Sequence, residues 1–377
     1  MKKIFMVFNV DRYFLTHRKD IAVMAKKKGY DVTIVAADTG KKEEILSLGL
    51  KFINLPISRS GKNIFQEIKS FFFLMRLYRS ERPDIVHHVS IKILLWGGLA
   101  AKITKINGVV NAVSGLGTLF SSENKTILSY IIIKLFRFSH KRKKIFTIFQ
   151  NNEDKSFFLE HKILQPEQIQ MTNGSGVDLE EYVYSKEIRN GKIKILFTAR
   201  MIVEKGVFVL IKAAEDMRDH YQGKIIFLLC GNIDDSPQAI KKEKLESLCD
   251  GEYIQWLDFR TDIPSLLKES HIVVFPSYYR EGIPKALIEA TAIGRPIITT
   301  NSVGCKEAVI DNYNGYLVPI KDSNALAKKI EVLIQDENKR QKMGQNSRLL
   351  AERNFSIIDV INKHMEIYQL LLGIKDI

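Results

Sequence analysis

The sequence predicts an α/β protein made of two doubly wound domains, each built on a parallel sheet. Three observations carry this. A chain of 377 residues exceeds the size at which one hydrophobic core stops growing. Hydrophobic residues at 45% and charged residues at 27% are ordinary for a globular chain and argue against disorder. Short β-branched or apolar runs alternate with helix-length patterns over nearly the whole length, the signature of strands buried on both faces and joined by crossover helices.

The elements follow in order. The opening MKKIFMVFNVDRYFL carries two lysines and an apolar run that breaks at Asn9 and Asp11, with no small-residue cleavage pattern after it. It reads as a first buried strand and not as a signal peptide. Strands are predicted over 3–8, 32–37, 85–88, 109–113 and 145–149 in the first half. In the second half they are predicted over 192–198, 224–230, 253–256, 272–276, 296–300 and 315–319. The run TILSYIIIKLF is interrupted by Lys134 and falls short of the roughly 20 apolar residues that a spanning helix needs. The seam between domains is expected in 173–192, where Gly, Asn and charge replace the apolar pattern. The predicted division is therefore 1–180, 181–355, and a tail helix within 356–377 that starts at Ser356 as N-cap. Cys230, Cys249 and Cys305 are widely spaced, which fits a reducing cytosol and neither a zinc site nor a disulfide framework.

Charge is unevenly placed. Residues 1–150 hold 27 Lys+Arg against 10 Asp+Glu, whereas the rest of the chain nets −3. The first half should meet an anionic partner. Within it, LSYIIIKLFRFSHKRKKIF (128–146) mixes aliphatic and aromatic residues with Lys134, Arg137, Lys141, Arg142, Lys143 and Lys144. That pattern suits an interfacial helix on anionic lipid; the alternative is a core helix followed by a solvated basic turn, and the concentration of charge in this half tips the balance to the lipid surface.

In open α/β sheets, ligands bind beyond the carboxyl ends of the strands, so the loops after strands carry the chemistry. SYYREGIPKALIEA (277–290) leaves a strand and enters a helix. Pro284 suits the first turn, and Gly294 with Pro296 ends the helix. The helix start, around Glu281, Gly282, Ile283 and Pro284, forms an anion site suited to a diphosphate. Glu281 and Glu289 can each accept charge-assisted bonds from hydroxyls, Glu289 from a ribose diol. Lys285 and Glu289 are also spaced i,i+4, as a surface ion pair would be. A second loop, FTARMIVEKGVFVLIKAA (197–214), places Arg200 and Lys205 as cations for a diphosphate, and Gly206 allows close backbone approach.

ARMIVEKG, PSYYREGIPKALIEATAIGRPIITT and VGCKEAVIDNYNGYLV resemble the C-terminal domain of glycosyltransferase family 4, retaining enzymes of the two-domain GT-B architecture. The most specific match is Glu281 to Glu289, the family's E-x7-E motif. The resemblance implies that Glu281 meets the transferred sugar, Glu289 the ribose, and Arg200 and Lys205 the donor diphosphate. It also implies that WLDFRTDIP (256–264), with Arg260, lines the base pocket. The N-terminal half resembles a bacterial surface-polysaccharide subgroup in YFLTHR (13–18), DIVHHVSIK (84–92) and VSGLGTLF (113–120), segments expected to follow strands and face the ligand. Ser114, Gly115 and Gly117 would form a tight loop near donor or acceptor. His17 and His87 are candidates for holding donor or acceptor hydroxyls, or else satisfied structural histidines; His88 and His140 have weaker claims. The chain departs from the family at NVDRYFLTHR, where many members have Gly-Gly, and at Ser114, where many have His. The acceptor base is unassigned.

The resemblance implies an N-terminal acceptor domain, a C-terminal nucleotide-sugar domain, and a tail helix crossing back onto the first. The expected activity is retaining, metal-independent transfer of a hexose or N-acetylhexosamine from a UDP-sugar to a polyprenyl-diphosphate-linked glycan. The expected place is the inner face of the cell membrane, peripherally bound through 128–146. A nucleotide-sugar epimerase of the same fold is the rival, and would have no need of the basic half. A nucleic-acid-binding protein is a remote third, because it leaves the paired loops unexplained.

Overall fold

The computed structural model describes residues 1–57, 64–117, 127–189, 191–233 and 238–374. They form two compact units: Met1–Ser175 with Ile357–Ile377, and Gly176–Ser356.

Unit 1 is built on β1 (Lys3–Val10), β2 (Asp31–Ala37), β3 (Lys51–Asn54), β4 (Ile85–Val89), β5 (Gly108–Val113), β6 (Ile145–Phe149) and β7 (Ile169–Met171). Their order is β3-β2-β1-β4-β5-β6-β7, and every pairing is parallel. Between them lie α1 (Asp11–His17), α2 (Lys19–Lys27), α3 (Lys42–Ser47), α4 (Ile64–Glu81), α5 (Ile91–Ile103), α6 (Ile127–His140) and α7 (Asn152–Glu160). The central strands β4 and β5 are buried at every position, as strands covered by helices on both faces must be.

Unit 2 carries β8 (Ile193–Thr198), β9 (Ile225–Cys230), β10 (Ile254–Trp256), β11 (Ile272–Phe275), β12 (Ile297–Thr300) and β13 (Gly315–Val318). The sheet order is β10-β9-β8-β11-β12-β13, again all parallel. Its helices are α8 (Val207–Tyr221), α9 (Lys242–Glu246), α10 (Ile263–Glu269), α11 (Lys285–Ile293), α12 (Ser323–Gln335) and α13 (Glu337–Asn354).

The last helix, α14 (Ile357–Leu372), follows unit 2 in sequence but belongs to unit 1. Its buried face, Val360, Ile361, His364, Met365, Ile367, Tyr368 and Leu371, recurs at helical spacing. It joins one core with Ile4 and Met6 of β1, Ile21 of α2 and Val110 of β5.

His87 corrects one expectation. It lies inside β4, as the strand predicted over 85–88 places it, and is fully buried, so it does not face a ligand. Adjacent strand residues point to opposite faces of a sheet, so the two histidines of IVHHV serve different layers. The His87 Nδ1 meets the Tyr368 hydroxyl of α14 at 2.7 Å, and its ring lies 5.4 Å from that of His364. On the other face, His88 joins a closed chain. Tyr78 Oη lies 3.0 Å from His88 Nε2, His88 Nδ1 3.1 Å from Asn111 Oδ1, and Asn111 Nδ2 2.9 Å from His140 Nε2. Burial pushes His88 down to about 3 and His140 to about 4. These histidines are neutral core groups that tie α4, β4, β5 and α6 together.

Candidate active site

In unit 2 the chain order runs outward from β8 in one direction to β10 and from β11 in the other to β13. The point between β8 and β11 is therefore where the winding reverses, the place where open α/β sheets bind ligands. Both loops singled out by sequence leave the sheet there. After β8 comes Arg200, then a 3-10 turn over Val203–Lys205, then Gly206 and α8. After β11 comes the loop that holds Ser277 to Gly282, then Ile283, Pro284 as N-cap, and α11.

The two loops are fastened to each other. Lys205 Nζ lies 2.5 Å from Glu281 Oε2, with the two side chains only 9% and 16% exposed. Ser277 Oγ donates to the other oxygen, Oε1, at 3.0 Å. The Tyr278 amide donates to the Glu204 carbonyl at 3.0 Å. The Lys205 ammonium stands 5.1 Å from the Phe275 ring centre and 5.9 Å from that of Tyr279, within cation–π range. The field of Arg200 reaches the Tyr279 hydroxyl, whose pKa burial and Glu281 push up. Gly206 has φ +81°, and a Cβ there would stand 2.1 Å from the Pro276 carbonyl oxygen. Only glycine allows the two loops to touch at that point. Gly304 plays the same part from the next loop, where a Cβ would meet the Gly282 carbonyl at 2.0 Å.

Glu289 lies one turn inside α11, with its side chain 12% exposed. Its Oε1 accepts the Tyr182 hydroxyl at 2.8 Å and lies 3.5 Å from Lys285 Nζ. Burial pushes its carboxyl up, while Lys285 and the Tyr182 hydroxyl favour the charged form. Arg260 follows β10 and is exposed; its guanidinium is held bidentate by Asp262 at 2.8 and 2.6 Å.

In unit 1 the winding reverses between β1 and β4. YFLTHR after β1 is helix α1 and the turn at Arg18 that leads into α2, not a loop. Asp11 anchors it: its carboxylate accepts from the amides of Thr39 at 2.7 Å, Lys41 at 3.1 Å and Arg12 at 2.7 Å, and from the Thr39 hydroxyl. Burial raises its pKa, but these donors win and hold it below the usual carboxylate value. His17 is partly exposed, stacked on Tyr13 at 4.2 Å, with Nδ1 2.6 Å from the Thr16 hydroxyl. Ser114, Gly115 and Gly117 follow β5, the glycines at φ +104° and +59°. Residues 118–120 of the same segment lie outside the described residues.

Two family models match the chain, one per unit. "Glycosyl transferase 4-like" covers residues 3–152 and "Glycosyl transferases group 1" covers 179–350. The chain belongs to the group 1, family-4-like glycosyltransferases. Curated relatives of this glycosyltransferase include the N,N'-diacetylbacillosaminyl-diphospho-undecaprenol alpha-1,3-N-acetylgalactosaminyltransferase of Campylobacter jejuni. It is 28% identical, with 92% of this chain and 96% of that one covered. The UDP-Gal:alpha-D-GlcNAc-diphosphoundecaprenol alpha-1,3-galactosyltransferase of Escherichia coli is 24% identical, over 90% and 89%. Among solved structures, HepE of Anabaena in complex with UDP and glucose matches at TM-score 0.78 and 17% identity, over 98% and 100% of the chains. A glycosyltransferase of Rickettsia africae matches at 0.76 and 20%, over 98% of each. At these identities the solved structures show the fold, which is GT-B.

The structure brings Lys205, Gly206, Glu281 and Gly282 of the glycosyltransferase together, with Arg200 beside Tyr279. It takes His87 into the core. Sequence reading did not single out Ser277 or Tyr182, whose partners in the chain are 4 and 107 residues away. A serine four residues before a loop carboxylate is a usable local signal; nothing local marks the tyrosine.

Proposed function

We propose that the glycosyltransferase moves a sugar, with retention, from a UDP-sugar to a polyprenyl-diphosphate-linked glycan. The observation that carries the donor half is the Lys205–Glu281 junction at the winding reversal of unit 2, where a cation and a carboxylate sit at the starts of α8 and α11. The acceptor half is supported by the relatives above, two of which are named for undecaprenol-diphosphate substrates. In this reading the bond between the sugar's anomeric carbon and the diphosphate oxygen breaks, and charge grows on the diphosphate. Arg200, Lys205 and the α11 N-terminus, from Gly282 to Pro284, meet that charge without reorganising, which is where electrostatic catalysis is largest. Glu281 accepts sugar hydroxyls and Glu289 the ribose, with Arg260 near the base. The acceptor hydroxyl oxygen bonds the anomeric carbon from the face the diphosphate leaves, and its proton passes to the departing diphosphate. Ser114, Gly115, Gly117 and His17 stand for the loops of unit 1 toward donor or acceptor. The cationic clamp takes the part a divalent ion plays elsewhere, so the transfer needs no metal.

The anionic membrane face is supported by α6. Ile127, Tyr130, Ile131, Lys134, Arg137, Phe138 and Lys141 are exposed, while Ile132, Ile133, Phe136, Ser139 and His140 are buried. A second outward stripe, Phe65, Ile68, Phe72 and Arg76, runs along α4. Apolar side chains interleaved with cations suit the interface of an anionic bilayer. No described helix is long and apolar enough to cross a membrane.

The test is a screen of UDP- and GDP-sugars by thermal shift and slow hydrolysis, followed by transfer to a lipid-linked acceptor with Lys205→Ala and Glu281→Ala. Removing a charge that acts at the leaving group should lower kcat by about 10²–10³. Transfer near wild type in both variants overturns the site. Epimerised donor without an acceptor would favour the epimerase.

A further inference from the structure

Glu289 has a partner that the donor site as proposed does not require. Tyr182 belongs to the segment between the start of unit 2 and β8, is 6% exposed, and packs in the main core of the unit. Its backbone is fixed at both ends. The amide donates to the Asp178 carbonyl at 2.9 Å, and the carbonyl accepts Arg348 Nη1 of α13 at 2.8 Å. The same Arg348 nitrogen donates to the Ala292 carbonyl in the last turn of α11 at 2.9 Å. One guanidinium therefore ties the tyrosine to the helix that carries Glu289. A carboxylate can only accept, so the Tyr182 hydroxyl donates to it. Both that hydroxyl, at 2.8 Å, and Lys285, at 3.5 Å, address the same oxygen, Oε1.

We propose that Tyr182 is a positioning residue for nucleotide binding: its hydroxyl commits Glu289 Oε1 to the protein and so turns Oε2 to a ribose diol. The proposal rests on the reading of Glu289 as the ribose carboxylate. A plain i,i+4 pair with Lys285 would leave the carboxylate swinging on a flexible partner; a tyrosine locked from the core fixes its plane and lowers the ordering cost of binding. The titratable groups facing Glu289 are Tyr182 and Glu181 from the preceding segment and Lys285 from its own helix. Burial, the largest influence, and Glu181 push its carboxyl toward the neutral form, while the hydroxyl and the ammonium favour the charged one.

The test uses the full chain and its Tyr182→Phe, Glu289→Gln and double variants, with UDP and 2',3'-dideoxy-UDP as probes, titrated calorimetrically from pH 5 to 8. Tyr182→Phe should weaken UDP by about 5- to 10-fold near neutrality, the net effect of one intramolecular hydrogen bond. The weakening should grow as pH falls, because a carboxylate without its donor protonates earlier. It should disappear with the dideoxy probe, and the double variant should match Glu289→Gln. In turnover, KM should rise while kcat stays within about twofold. Equal loss on both probes would mark Tyr182 as merely structural and overturn the proposal, as would wild-type UDP binding at every pH. Wild-type UDP binding by Glu289→Gln would instead refute the ribose reading beneath it.

Discussion

Gly206→Ala isolates the contact on which the donor site is built. Alanine at φ +81° costs about 1–2 kcal/mol relative to its preferred backbone. Its Cβ would also stand 2.1 Å from the Pro276 carbonyl oxygen, so two strand-end loops must separate by about an ångström, adding roughly 1–3 kcal/mol as overpacking does elsewhere. The reduced freedom of the unfolded chain returns about 0.4–1 kcal/mol. The net is a loss of about 2–4 kcal/mol in unit 2. The chain has two tryptophans, Trp96 in unit 1 and Trp256 in unit 2, the latter held by a 2.9 Å bond to the Gly231 carbonyl. In a Trp96→Phe background, fluorescence therefore follows unit 2 alone. With a urea m-value of about 2 kcal/mol/M, the midpoint should fall by about 1–2 M. Gly206→Asn relieves part of the backbone penalty but keeps the Cβ, so it should recover only part of the loss. An unchanged midpoint in the alanine variant, or complete rescue by asparagine, refutes the steric argument.

Further outcomes follow from the histidines, the cationic clamp and the basic helix. His364 is pushed down to about 3, first by burial and then by Arg18, so its neutral form belongs to the folded state. The stability it carries is full above the unfolded value of about 6.5 and is lost as pH falls toward 3, at about 1.4 kcal/mol per pH unit. His364→Leu should remove one proton's slope between pH 6.5 and about 4, read from Trp96 in a Trp256→Phe background; an identical slope sinks the assignment. Transfer should persist in EDTA, and full loss restored by magnesium or manganese would end the metal-free reading. Vesicles with anionic lipid should float the protein at low salt, and Lys134→Glu with Arg137→Glu should weaken this severalfold. No flotation of the wild type would remove the membrane surface from the proposal.

Much of the architecture was legible because buried parallel strands are nearly continuous apolar runs, and eleven of them stand out in the sequence. The two that do not, β3 and β7, are four and three residues long, lie at the two edges of their sheet and are half exposed. An edge strand needs few apolar side chains, so KFIN and IQM carry no pattern. At the site, Lys205 and Glu281 were legible because strand, loop charge and helix start are local features. Tyr182 was not, since its meeting with Glu289 depends on how α13 and α11 pack. The two adjacent histidines of β4 misled for a related reason. Alternation sends them to opposite layers, and only the tertiary partners, Tyr368 on one side and Tyr78 with Asn111 on the other, reveal that both are structural.

The return of α14 to unit 1 has a consequence for how the molecule is made. The core shared by β1, β4 and β5 includes Val360, Ile361, Met365, Ile367, Tyr368 and Leu371, which leave the ribosome only after the whole of unit 2. At roughly 5–20 residues per second, the first sheet waits on the order of ten seconds or more with one apolar flank uncovered. Unit 2 is one unbroken stretch of chain and can close as it emerges. The first-synthesised half is thus completed last, and a nascent chain stalled before Ile357 offers that flank to chaperones or to other chains.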